Sequence, residues 1–149
     1  MGKTEKSPSK GTIASTADRH ACYEEAVQCV ESEIDFVDDT YRALRGKRAK
    51  VLREDFCGTA KLACEWVSRS KHNYAYGVDL DSGVLKWARA HRLPELGDAA
   101  ERVQLFEGDV TMGDVPAADI TVAFNFSYCV FKLRAQQRDY FRSVLRGLK

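Results

Sequence analysis

From Ala49 onward the chain alternates between short β-like segments and longer helical ones, and this alternation constrains the fold more than any other feature. Residues 49–53 read as a strand. Residues 59–70 read as a helix with Leu62, Ala63, Trp66 and Val67 turned inward. Residues 74–78 form a second strand ending at Asp79. A helix capped by Ser82 then runs through Leu85, Trp87 and Ala88 to His91, and Pro94 and Gly97 break the chain. Residues 102–107 give a third strand. Residues 119–126 give a fourth, with Ile120, Val122, Phe124 and Phe126 on one face, and residues 135–148 a closing helix that carries Tyr140, Phe141, Val144 and Leu145. Strand–helix–strand repetition predicts an α/β fold, a parallel Rossmann-like sheet with flanking helices. Ligands of such sheets bind at the carboxyl ends of the strands, so the loops after Arg53, Val78, Phe106 and Ala123 matter most.

Ahead of the alternation, Tyr23, Ala26, Val27, Val30, Ile34, Val37, Tyr41 and Leu44 fall at helical spacing. Asp18 suits an N-cap and Gly46 a stop, for one helix or for two with a kink. Residues 1–12 hold Lys3, Lys6 and Lys10 among Ser, Pro and Gly, with almost nothing apolar to bury, and read as part of a flexible tail. The expected organisation is a tail over 1–17 and a domain over 18–149 with a helical extension over 18–45.

A length of 149 residues fits one domain. Twenty-three Lys and Arg against 22 Asp and Glu leave a net charge of +1, so no global field draws nucleic acid or an anionic membrane to the surface. No secretory signal and no apolar run near the roughly 20 residues of a membrane span are present. The five cysteines, Cys22, Cys29, Cys57, Cys64 and Cys129, show no C-x-x-C pair, and His20, His72 and His91 share no ligand spacing. Neither a disulfide framework nor a metal site is expected; the cysteines fit small buried hydrophobes in the cytoplasm.

Three loops carry polar groups at strand ends. The first reads Glu54-Asp55-Phe56-Cys57-Gly58-Thr59-Ala60. It is neither a dinucleotide fingerprint nor a P-loop, because it holds one glycine and no Gly-Lys-Ser/Thr. Cys57 has no base beside it and reads as a packing residue. The second places Asp79 at the end of the next strand, where a carboxylate can accept both hydroxyls of a ribose. The third holds Asp109, a carboxylate able to accept from an exocyclic amine. Each has a structural alternative: Asp79 as a cap for the Ser82 helix, Asp109 as a turn residue, Glu54 as a partner of Arg53 or a lysine.

Residues 51–66 together with 76–81 resemble the class I S-adenosylmethionine-dependent methyltransferases. Glu54 stands at that family's acidic position, Gly58 at its middle loop glycine, and Phe56 and Ala60 at the outer glycine positions. The resemblance implies S-adenosylmethionine as cofactor. It puts the ribose on Asp79, the adenine on Leu80, Asp109 and the Val110 backbone, and the methionine portion against Glu54 and the Phe56-Cys57-Gly58 loop. Asn125-Phe126-Ser127-Tyr128 matches the Asn and Tyr of the Asn-Pro-Pro-Tyr motif of amino-methylating members, without its prolines. Asn125 is therefore expected at the methyl-transfer pocket, with Tyr23 and Tyr128 as pocket walls and a small molecule as acceptor. The family's sheet has seven strands and four are counted here. The fourth is then an edge strand that invites pairing with a second copy. Two other readings stand beside this one: a dinucleotide-dependent oxidoreductase, which asks for more glycines in the first loop, and a truncated or non-catalytic domain that binds the cofactor or a partner chain.

Overall fold

The computed structural model describes residues 17–27 and 29–149. The expected tail lies outside the described residues apart from its last position. Two helices come first, α1 (Arg19–Val27) and α2 (Val30–Arg45). Asp18 caps α1, its Oδ1 accepting from the amides of His20 (2.8 Å) and Ala21 (3.2 Å). In α2, Glu31 and Glu33 lie in the first turn and Arg42 and Arg45 in the last, the arrangement a helix dipole favours. Gly46 ends it in the left-handed region at φ 65°, its amide returning to the Arg42 carbonyl.

The alternating part runs in the order β1 (Val51–Asp55), α3 (Lys61–Ser68), β2 (Tyr74–Asp79), α4 (Ser82–Trp87), β3 (Val103–Glu107), β4 (Ile120–Val122) and α5 (Arg134–Arg146). All four strands are parallel, in the order β3-β2-β1-β4. β1 is central and almost wholly buried, as a parallel strand covered on both faces must be. Alternation along the strands divides the core. Leu52 and Ala75 face α2, α3 and α4 and pack with Ile34, Leu62, Trp66 and Leu85. Val78 and Phe106 face the other way, into a cluster with Val110, Val115 and Tyr140.

Several local expectations change. The cap of α4 is Asp81, whose Oδ1 accepts from Gly83 and Val84, and not Ser82. Trp87 is only half-buried; its indole N–H donates to Asp18 Oδ2 at 2.8 Å and its ring lies between His20 and His91. The fourth strand stops at Val122, and Asn125 and Phe126 beyond it both turn into the left-handed region (φ 54° and 56°), so Phe126 leaves the apolar face and is exposed. Of the five cysteines, all free, Cys57 and Cys64 are buried while Cys22, Cys29 and Cys129 are exposed. β4 lies at the sheet edge, and a single parallel bridge between Ala118 and Leu148 flanks its start.

Candidate functional site

The loops after β1, β2, β3 and β4 leave the same edge of the parallel sheet. In the first, φ is positive at Phe56 (60°), Gly58 (52°) and Ala60 (59°), every second residue. For a residue with a side chain this region costs roughly 1–2 kcal/mol. The loop thus keeps a backbone suited to three glycines with only one. Its amides turn inward: Cys57 donates to the Val78 carbonyl at 3.0 Å and Ala60 to the Cys57 carbonyl at 2.8 Å. A Cβ on Gly58 would meet nothing within 4 Å, so the surface above this residue is open.

Asp79 ties that loop to the next. Its Oδ2 accepts the Gly58 amide at 2.8 Å and its Oδ1 the Asp81 amide at 2.9 Å. Its backbone carbonyl takes the Gly108 amide at 2.9 Å, which fixes the start of the third loop. Asp79 does not cap α4. Each carboxylate oxygen keeps an acceptor site, enough for two hydroxyls. Leu80, next to it, is 68% exposed. Asp109 is exposed and makes its own turn, Oδ1 accepting from the amide and hydroxyl of Thr111, which leaves Oδ2 free. Val110 is buried.

Glu54 points to the α3 face of β1. Ala60, in the left-handed region, offers α3 no side-chain cap, and Glu54 Oε2 accepts the Ala63 amide at 3.0 Å instead. Burial is the main force pushing its carboxyl up to about 8; the Ala63 bond opposes this and the charges of Glu33, Asp79 and Asp55 add to it. The group is protonated at neutral pH. It does not pair with Arg53. Cys57 is buried and its thiol is pushed far up, first by burial and then by Glu54, which makes it inert packing.

A buried network escaped the sequence reading. Arg53 and Asp55 lie two apart on one face of β1, and Arg53 Nε donates to Asp55 Oδ1 at 2.7 Å. Arg53 Nη2 donates to the Val110 carbonyl at 2.5 Å, and the Tyr140 hydroxyl to Asp55 Oδ2 at 3.0 Å. Burial raises the Asp55 carboxyl and Arg53 opposes the rise. The signal was present in sequence, as charges at both inward-facing positions of a central strand. Gly77 was missed too: a Cβ there would lie 2.8 Å from Leu105 Cδ2 and 2.9 Å from Cys57 Sγ.

The remaining candidates are spread wider. The Phe56 ring packs against those of Phe131 (6.1 Å) and Tyr140 (6.0 Å). Tyr128 is partly buried in that same cluster and faces Phe141 at 6.2 Å. Asn125 lies beyond the end of β4. Tyr23 is exposed on α1, a helix held to α3 by Lys61 Nζ on the Glu24 carbonyl at 3.3 Å. Among the described residues no hydrogen bond joins Asn125 or Tyr23 to the other candidates, and no group of three or more His, Cys, Asp or Glu side chains converges as metal ligands would. Nor is any helix among them long and apolar enough to cross a membrane.

No family model and no curated protein matches the chain. Solved structures do. CalS10 of Micromonospora echinaspora, an amino pentose methyltransferase solved with S-adenosylmethionine, aligns over 97% of this chain and 55% of its own, at 23% identity and a TM-score of 0.69. The fold is that of the class I S-adenosylmethionine-dependent methyltransferases. A methyltransferase of Clostridium acetobutylicum gives 18% identity and a TM-score of 0.69 over 87% of this chain and 51% of its own. The glycopeptide N-methyltransferase MtfA gives 20% and 0.64, over 83% and 50%. The chain spans about half the length of these methyltransferases.

Proposed function

We propose that residues 18–149, with 18–45 as a helical extension, are the cofactor-binding part of an enzyme that transfers a methyl group from S-adenosylmethionine to a small-molecule acceptor. The observation that carries this reading is the Asp79 carboxylate held by the Gly58 amide, which joins the first two loops at the carboxyl ends of β1 and β2. The residues suit the cofactor. Asp79 retains acceptor sites for both ribose hydroxyls. Exposed Leu80 offers an apolar face to adenine, and Asp109 Oδ2 and the Val110 backbone its polar partners. The open side of Gly58 supports assigning the methionine portion to the Phe56-Cys57-Gly58 loop; Glu54, assigned there too, is buried with its carboxyl on the Ala63 amide.

When bound, this cofactor supplies a methyl group already activated by its positive sulfur. The protein's task is to align an acceptor lone pair with that carbon and exclude competing water. Tyr128, past the end of β4, and Tyr23 are the residues assigned to the acceptor pocket, and Asn125, also past β4, is assigned to the cofactor side where the methyl group is transferred. The named acceptors of the similar structures, an amino pentose and a glycopeptide, support a small acceptor over nucleic acid, as does the balanced charge. The five free cysteines support a cytoplasmic setting.

The edge of β4 is proposed to pair with a second copy. Phe36 and Leu44 of α2 and Phe141 and Leu145 of α5 are exposed, and a cleft of about 380 Å³ runs along Ile120, Val122 and Phe124. Light scattering tests this, and a monodisperse monomer counts against it.

The cofactor reading is tested by melting the chain with S-adenosylhomocysteine, with NAD and with neither. Ligand at 100 times its Kd adds about 2.7 kcal/mol. That raises Tm by roughly 2–4 °C per kcal/mol. The expected result is a shift with S-adenosylhomocysteine alone, lost in Asp79→Ala. A shift with NAD, or none, refutes the reading. Binding without turnover on any acceptor selects the non-catalytic alternative.

A further inference from the structure

Three of the five residues between β1 and α3 sit in the left-handed region, and two of them carry side chains. Ala60 is held by the helix it leads into: it is fully buried and its carbonyl accepts the Cys64 amide at 2.9 Å, the first bond of α3. Phe56 has no helix to hold it. Its ring is gripped instead, edge-on by Phe131 and at a tilt by Tyr140. Tyr140 also reaches the preceding residue, through its hydroxyl on Asp55. Phe131 closes the short helical turn Ser127–Val130, just past Asn125 and Phe126.

We propose that Phe56 is a positioning residue for the cofactor: its ring, gripped by Phe131 and Tyr140, holds the loop so that the Gly58 amide meets Asp79. One half of the grip, Phe131, comes from the segment that follows Asn125 and Tyr128; the other, Tyr140, comes from α5. Movement of residues 125–131 on acceptor binding therefore reaches the cofactor loop through one aromatic ring. A glycine at this place would adopt the backbone unaided but would carry no such link. The inference deepens the cofactor reading and rests on it for its ligand.

A ring that merely fills the core predicts something different. Its loss would lower stability everywhere alike, leaving the Gly58 amide protected in proportion to the rest. The test is hydrogen exchange of the Gly58 amide against amides of the β1–β2 ladder, on the full chain without ligand, alongside calorimetric titration with S-adenosylhomocysteine. In Phe56→Ala the Gly58 amide is expected to exchange roughly tenfold faster relative to the ladder, and Kd to rise by about the same factor, near 1.4 kcal/mol. Phe131→Ala, which alters no residue of the loop, gives the same direction, and Phe56→Leu restores most of the protection. If Phe56→Ala does not fold, Phe56→Leu and Phe131→Leu carry the test, with an expected relative rise of about threefold. An unchanged exchange ratio in the folded variants overturns the proposal. Failure of the unaltered chain to bind S-adenosylhomocysteine overturns the cofactor reading, and the exchange ratio still decides whether the ring positions the loop.

Discussion

Replacing Glu54 by Gln removes a buried ionisable group while keeping its one structural bond, since the Gln side-chain oxygen can still accept the Ala63 amide. The folded carboxyl titrates at about 8 and the unfolded one near 4.5. Below pH 4.5 both states hold the proton and the group has no effect. As pH rises the unfolded chain ionises while the folded chain stays protonated, so stability falls by about 1.4 kcal/mol per pH unit until the folded carboxyl also ionises. Over the interval from 4.5 to about 8 this amounts to about 5 kcal/mol, an upper figure for a side chain with almost no solvent contact. Other groups titrate alike in both proteins and cancel in the difference. Urea unfolding of the two proteins at pH 5, 6, 7 and 8, with slopes compared, should show Glu54→Gln gaining on the parent by about 4 kcal/mol across that range. A gap that stays constant within about 0.5 kcal/mol would refute the claim that Glu54 is held protonated. The same linkage acts on ligand: a cationic cofactor favours the ionised carboxylate, so S-adenosylmethionine should bind the parent more tightly at pH 8 than at pH 6, with that gain absent in Glu54→Gln.

Arg53→Met strands Asp55 in the core and should cost about 3–5 kcal/mol, while Tyr140→Phe, which removes one donor to the same carboxylate, should cost about 1–3 kcal/mol, both read from urea midpoints. Ala60→Gly relieves a left-handed backbone and should raise stability by up to about 1 kcal/mol; a loss would show that the conformation carries no strain. Gly77→Ala drives a Cβ into Leu105 and Cys57 and should cost about 1–3 kcal/mol, lowering Tm in a thermal melt.

The element order and the parallel sheet were legible because a central strand and its covering helices follow different apolar periods, and those periods survive in residues 49–91. The loop after β1 was legible in its chemistry but not in its backbone. Phe56 and Ala60 look like lost glycines in sequence; the conformation those glycines would take is nevertheless present, because an aromatic grip and a buried helix start sustain it. The fourth strand was read too long because Phe124 and Phe126 continue its alternation, while nothing in local pattern reports that Asn125 and Phe126 both turn left-handed. Ser82 and Asp81 are both good caps, and only the Asp81 bonds to Gly83 and Val84 decide between them. The link from Asp55 to Tyr140 spans 85 positions and has no periodic signature at all.

The two faces of β1 serve two sides of the site. Glu54 faces α3, supplies the acceptor that Ala60 lacks, and stands close enough to Asp79 for that carboxylate to favour its protonated form. Arg53 and Asp55 face α5, and through Val110 and Tyr140 they fix the third loop and the ring that grips Phe56. One strand of five residues is thereby bonded to the start of α3 through Glu54 and to the third loop through Arg53 and the Val110 carbonyl. This division explains why a charged triplet, unusual in a central strand, is tolerated there: each charge has either a partner or a proton. It also bears on the loop's single glycine. A glycine-rich loop is free to take its shape but is not held in it, whereas this loop is held by groups anchored in β1 and α5, and its single glycine stands where the Asp79 carboxylate meets the backbone.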